Sequence, residues 1–299
     1  MEVIMKNIQG DLDIILASTA FGVMPVLAKL AYGRGATTYT VLFLRFLFAA
    51  FILLYIILNK KISLKLNMKQ ILMVIMLGLF GYSATALCLF ISYNYVSVGV
   101  ATNLLYTYPA IVTLMSRFLY KEKLYGRKIV SLLLSLIGVF ILIEIKNQSI
   151  NITGVSFAFA SAIFYSLYVL GISTDKAKKI NSYVMIFYLS VTSSIIMFLL
   201  GVSTSALDLR IDFYALICII LLAFISTVVA LMSFLKGVRI IGPSRAAILS
   251  TLEPIVSIIL GFLILKEKLS LNMIIGSALV IASVLLLVKD NTLKEPAEN

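Results

Sequence analysis

Leu104–Leu124 reads L-L-Y-T-Y-P-A-I-V-T-L-M-S-R-F-L-Y-K-E-K-L, and Leu249–Leu269 reads L-S-T-L-E-P-I-V-S-I-I-L-G-F-L-I-L-K-E-K-L. At a shift of 145 residues Leu104 falls on Leu249 and Pro109 on Pro254. Lys121-Glu122-Lys123-Leu124 falls on Lys266-Glu267-Lys268-Leu269. An apolar run, the proline in its middle and the charged turn after it recur together, which a duplication explains and chance rarely does. The first apolar runs of each half match as well: at a shift of 143, Ser18, Phe21 and Val26 fall on Ser161, Phe164 and Val169. Two homologous halves are expected, 1–148 and 149–290, followed by a cytoplasmic tail at 291–299.

Composition says where those halves live. Hydrophobic residues make up 62% of the 299 and charged residues 13%. A soluble domain needs more polar surface than that, so the chain reads as an integral membrane protein. The net charge of +12 would suggest nucleic acid in a soluble protein. Here the basic residues sit in short loops between apolar runs, so anionic lipid head groups are the expected partner and nucleic acid is not. Histidine is absent, which removes the commonest general base and metal ligand. Cys88 and Cys218 both lie inside apolar runs and behave as small hydrophobes. No metal site or cofactor is expected from this set. The acidic residues before the first apolar run, and the lack of a cleavage pattern, make that run a retained span.

A helix rises ~1.5 Å per residue, so roughly 20 apolar residues cross the hydrocarbon. Ten spans are expected, near 11–31, 38–58, 71–94, 97–120, 127–145, 153–173, 183–201, 213–235, 245–265 and 270–289. With the N-terminus inside, the inner loops collect Lys60, Lys61, Lys65 and Lys69, then Lys121, Lys123, Arg127 and Lys128, then Lys176, Lys178 and Lys179. The outer loops hold only Arg34, Lys146, Arg210, Lys266 and Lys268. Excess Lys/Arg marks the cytoplasmic side, so both termini are expected there, in a cell inner membrane. Five spans per half is odd, so the second half must enter the membrane upside down. The fold class is therefore an all-α membrane protein of ten transmembrane helices, built as two inverted five-helix repeats. Inverted repeats are a hallmark of secondary transporters, with the substrate near the midplane between halves.

The residues now resemble a known family. Ten spans in a 5+5 duplication, L-R-F-L-F-A-A at Leu44–Ala50, the proline-centred spans 4 and 9, and E-P followed by K-E-K-L are similar to the EamA family of the drug/metabolite transporter superfamily. The resemblance covers nearly the whole chain. It implies a basket of ten helices around a central cavity lined by spans 1, 3, 4, 6, 8 and 9. It also implies export of small metabolites, with amino acids the favoured class. A nucleobase, nucleotide-sugar or S-adenosylmethionine carrier is the runner-up. One departure is Phe21-Gly22, where the family often has W-G; this chain has no Trp.

Polar groups inside spans cost roughly 2.5–3.5 kcal/mol for a charge at mid-bilayer, so each invites a role. Glu253 lies ~12 Å from the cytoplasmic end of span 9, and its short side chain cannot snorkel. On a helix it shares a stripe with Ser250, Ser257 and Gly261. It reads as a cavity carboxylate that binds a substrate ammonium or takes a proton, or as a hydrogen-bond partner shaping the break at Pro254. In span 4, Asn103, Tyr106 and Thr107 read as zwitterion recognition or as interhelical hydrogen bonds. Tyr165 and Tyr168 of span 6, with Phe21 and Pro25 of span 1, read as cavity lining or as packing. Arg45, deep in span 2, reads as a counter-ion or gate, or as a tie to a backbone carbonyl. Pro109 and Pro254 read as hinges or as static kinks. Ser131, Ser135 and Gly138 in span 5, with Gly276, Ala278 and Ala282 in span 10, read as packing seams.

Other function classes lack their parts. A membrane enzyme would need a catalytic cluster, and the chain has no His, no paired carboxylates and no G-x-S-x-G. No G-x-x-x-x-G-K loop is present, so ATP on this chain does not drive transport. A channel, the further alternative, would need a continuously polar pore and would conduct far faster than a carrier, which single-channel currents would show. The sequence is compatible with a monomer acting on a small-molecule substrate.

Overall fold

A computed structural model describes residues 2–92, 95–96, 101, 104–142, 151–266 and 270–289. Those residues form helices and connecting turns, with no strand among them. In chain order the helices are α1 (Glu2–Gly22), α2 (Met24–Tyr32), α3 (Thr38–Asn59), α4 (Met68–Met76), α5 (Ala84–Ser92), α6 (Tyr108–Leu119) and α7 (Gly126–Ile141). They continue as α8 (Ile152–Ile172), α9 (Asp175–Lys178), α10 (Ser182–Ser203), α11 (Phe213–Leu221), α12 (Ala230–Ile241), α13 (Pro243–Leu249), α14 (Glu253–Leu265) and α15 (Leu271–Lys289). A π-helical stretch, Leu77–Ser83, joins α4 to α5, and another, Leu222–Val229, joins α11 to α12.

Eight segments among the described residues are long and apolar enough to cross a membrane: Met5–Tyr32, Thr38–Asn59, Met68–Leu89, Ile152–Ile172, Ser182–Ser203, Phe213–Ile241, Pro243–Ile264 and Leu271–Lys289. They coincide with eight of the ten expected spans. α6 and α7 fall inside the other two, at 12 and 16 residues, shorter than a crossing needs. The outward surface is a belt of apolar side chains such as Phe51, Leu114, Phe118, Leu199 and Leu263, which suits hydrocarbon.

Local sequence starts and stops these helices. Thr37, Asn67, Asn151, Asn181 and Asp212 each accept a backbone N–H from the first turn they precede. Three restarts carry proline in the first turn: Pro25 in α2, Pro109 in α6 and Pro254 in α14. Proline lacks the N–H that a helix start leaves unused anyway, so it breaks the span there at little cost. Buried hydroxyls bond back to their own helices, as Ser18 does to the Ile14 carbonyl at 2.8 Å.

The irregularities recur 144 or 145 residues apart. The π stretches begin at Leu77 and Leu222. α3 and α10 each run 22 residues, and α4 and α11 each run nine. Residues other than glycine with positive φ are Lys61 and Lys121 in the first half, Ser205 and Lys266 in the second. Packing is reciprocal in the same way. α1 lies on α12 as α5 lies on α8, α3 on the second π stretch as α10 on the first, and α1 on α14 as α6 on α8. Close approaches follow suit. A Cβ on Gly10 would collide with Ile240 and Ile241, and one on Gly154 with Tyr95 and Val96. Helices in lipid are held by such van der Waals fit rather than by hydrophobic burial. The α7–α15 seam is of this kind: a Cβ on Gly138 would meet the Gly276 carbonyl at 2.8 Å, and Ser283 donates to the Ser131 carbonyl at 2.6 Å.

Candidate functional site

The two proline restarts α6 and α14 bring Tyr108 and Glu253 to the middle of the bundle. Tyr108 is buried, and its ring stands edge-on to Tyr165 of α8 at 4.6 Å between centroids. From there a row of rings runs through the core. Tyr165 stacks on Tyr168 at 5.9 Å, Tyr168 meets Tyr82 of the first π stretch at 5.6 Å, and Tyr82 meets Phe46 of α3 at 5.4 Å. Tyr106 closes the other end, 6.3 Å from Tyr108. Glu253 itself is half-buried. The Tyr168 hydroxyl is fully buried and has no hydrogen-bond partner among the described residues.

Arg45 joins the row at Tyr82. Its Nε donates to Thr227 Oγ1 at 2.7 Å, and Nη2 donates to the Ser226 carbonyl at 3.1 Å and to the Tyr82 hydroxyl at 3.2 Å. Nη1 reaches the sulfur of Met24. Tyr82 lies in one π stretch and Ser226–Thr227 in the other, so one guanidinium ties both. π geometry disturbs the regular backbone ladder, and a planar, five-donor cation is suited to satisfying a carbonyl there. Arg45 and Glu253 form no ion pair among the described residues. The site thus combines a row of core tyrosines, a half-buried carboxylate at a helix restart and a guanidinium tethered to one end of the row.

Of the residues singled out from sequence, Tyr106, Tyr165, Tyr168, Ser250 and Glu253 come together here, with Arg45 nearby. Ser250 is buried and donates to the Ala246 carbonyl at 2.9 Å. Thr107 donates to the Leu104 carbonyl at 2.7 Å, so its hydroxyl is satisfied within its own turn. Phe21 is buried edge-on against Phe234 at 6.4 Å, and Pro25 is exposed at the α2 restart. Neither joins the tyrosine row by a ring contact among the described residues. Pro109 is buried and Pro254 half-buried, each in a first helical turn. Asn103 lies outside the described residues. Sequence reasoning misses Tyr82, Tyr108, Ser226 and Thr227. Tyr108 escapes because a stripe counted from Asn103 assumes one unbroken helix, and the chain turns at Tyr106–Thr107 before α6. A signal for Thr227 is available, since the 145-residue shift places it on Tyr82.

A polytopic helical membrane protein whose long helices enclose polar and aromatic side chains is the build of a transporter. The chain belongs to the EamA-like transporter family, whose sequence profile matches it twice, over residues 8–144 and 152–289. It is 25% identical over 285 residues to an uncharacterized transporter of Clostridium kluyveri, covering 91% of each chain. It is also 25% identical over 283 residues to the uncharacterized transporter YcbK of Bacillus subtilis, covering 89% of this chain and 88% of that one. A solved crystal structure with 15% sequence identity shares the fold at a TM-score of 0.83, over 95% of this chain and 98% of the other.

Proposed function

We propose that the protein is a secondary carrier exporting small amino-bearing metabolites, amino acids foremost, by alternating access around the Glu253–tyrosine site. The observation that carries this reading is Glu253 itself: half-buried at a mid-span helix restart and without an ion-pair partner among the described residues. A carboxylate in that position is served by a substrate ammonium, while Arg45 presents positive charge toward a substrate carboxylate. The proposal includes two inverted halves, 1–148 and 149–290, related by an axis in the membrane plane. Reciprocal packing of the halves is what a two-fold relation produces. It also places both termini on the cytoplasmic side of the inner membrane, by the Lys/Arg distribution. One chain carries both halves, so a monomer suffices.

The test is counterflow in proteoliposomes loaded with unlabelled substrate, because exchange needs no driving force. Accumulation of labelled amino acids is the expected result. A second reading has its own support: five tyrosines in one row are a set of aromatic rings of the kind that, once the bundle opens, stacks on a nucleobase or the adenine of S-adenosylmethionine. Exchange of those compounds, with silence across the amino acids, would keep the carrier and replace its substrate.

A further inference from the structure

The end of the bundle that carries the basic loops is fastened across the two halves by buried charge. Asp11 of α1 receives both arms of Arg245 from α13, at 2.7 Å (Nε to Oδ1) and 2.9 Å (Nη2 to Oδ2). The side chains are 3% and 12% exposed, so water screens this pair little. Beside it, Glu122 of the first K-E-K-L turn accepts from Lys128 Nζ at 2.8 Å and from the Ser244 hydroxyl. Its other oxygen sits against Gly242, where a Cβ would approach to 3.0 Å. Gly242 has φ of +80° and immediately precedes α13, so the Glu122 carboxylate rests against the start of that helix. Both fastenings grip α13, the first helix of the broken span that continues into Glu253.

The counterpart positions in the other half do not carry this set. The 145-residue shift carries Arg245 onto Val100, Ser244 onto Gly99 and Lys128 onto Met273; only Glu122 keeps a counterpart, Glu267. In α1 and α8 the tightly packed glycines Gly10 and Gly154 correspond, each closing on the matching stretch of the other half. That match sets Asp11 on Val155. The scaffold is therefore repeated and the charges are not.

We propose that Asp11–Arg245 and Glu122–Lys128–Ser244 form a one-sided latch that holds the basic end closed over the site and biases the carrier toward opening at the opposite end. The latch rests on the alternating-access reading above. Identical halves would make the two open states equal in energy. A bidentate ion pair made in only one closed state shifts that balance, because it must break for the basic end to open. Asp11 and Arg245 act through the helices they join and are positioning residues, remote from Glu253.

The experiment replaces Cys88 and Cys218 by Ala, places Thr107→Cys beside the site, and measures its labelling in proteoliposomes by a membrane-impermeant maleimide applied from each side. Arg245→Gln is expected to raise labelling from the basic-loop side about tenfold and to lower it from the other, the shift given by losing one charge-assisted contact. The exchanged pair, Asp11→Arg with Arg245→Asp, is expected to restore the original ratio. Unchanged labelling in folded Arg245→Gln overturns the latch. Should that variant fail to fold, Ser244→Ala removes a single hydroxyl donor. It is expected to move labelling about twofold in the same direction, and no change there overturns the proposal equally. If Thr107→Cys, with the latch intact, is reached from one side only, even during substrate exchange, the alternating-access reading fails and takes the latch with it. Labelling from both sides with no response to the latch variants removes the latch alone.

Discussion

Tyr108 and Glu253 hold the same place in the two halves, each the first residue of a helix with proline second. The backbone is the same and the side chains have parted. Tyr108 is sealed into the core, its hydroxyl 3.5 Å from the Ala247 carbonyl and its ring against Tyr165. Glu253 is only half-buried. A restart leaves backbone N–H groups unpaired at the helix N-terminus, which favours an anion. One half places a carboxylate at that spot and the other an aromatic wall, so a symmetric scaffold encloses an asymmetric site. Arg45 makes the same point: matching α3 to α10 from their first residues carries it onto Leu189, an apolar core residue.

The largest effect that can break the comparison is all-or-none. Lys121 and Lys266 are the paired left-handed residues closing α6 and α14. As single cysteines they are expected to label from opposite sides of the membrane; labelling from one side would remove the inversion and the equivalence of the two restarts with it. Next comes Glu253→Gln, which keeps the shape and deletes the charge. Losing a charge-assisted contact of about 1.5–3 kcal/mol is expected to reduce substrate exchange roughly tenfold to a hundredfold while the protein stays folded. Normal exchange would make Glu253 a structural residue like Tyr108.

Much of this was legible in the sequence because it rests on repetition and on hydropathy. The shift of Pro109 onto Pro254 exposed the duplication, and loop charge supplied the expected orientation. Glu253 stood out as a carboxyl where none can snorkel. What could not be read were groups brought in by departures from helical phase. The π stretches advance their side chains out of the 3.6-residue register, so no stripe predicted that Tyr82 would face Tyr168 or that Thr227 would meet Arg45. The Asp11–Arg245 pair joins residues 234 apart through neither motif nor periodicity.

A smaller effect separates the prolines. Pro254→Ala is expected to slow exchange a few-fold while leaving substrate affinity nearly unchanged, because alanine restores an N–H and lets the 3₁₀ turn Ser250–Leu252 run on as a straighter helix. Pro109→Ala tests the matching break. Unchanged exchange rates in both variants would make these kinks static.

The smallest expected effect is that of Tyr108→Phe. It removes only a hydroxyl, and the bond lost is the long one to the Ala247 carbonyl. The ring contact with Tyr165 survives, so packing is kept. Exchange is expected to stay within about twofold, with stability lowered by no more than ~1 kcal/mol, the net worth of one neutral hydrogen bond. Thermal unfolding and counterflow on the same preparation measure the two quantities separately. A transport loss as large as that of Glu253→Gln, with stability intact, would bring the Tyr108 hydroxyl into contact with substrate. The two restarts would then share the site, and the division between a wall in one half and a charge in the other would fall.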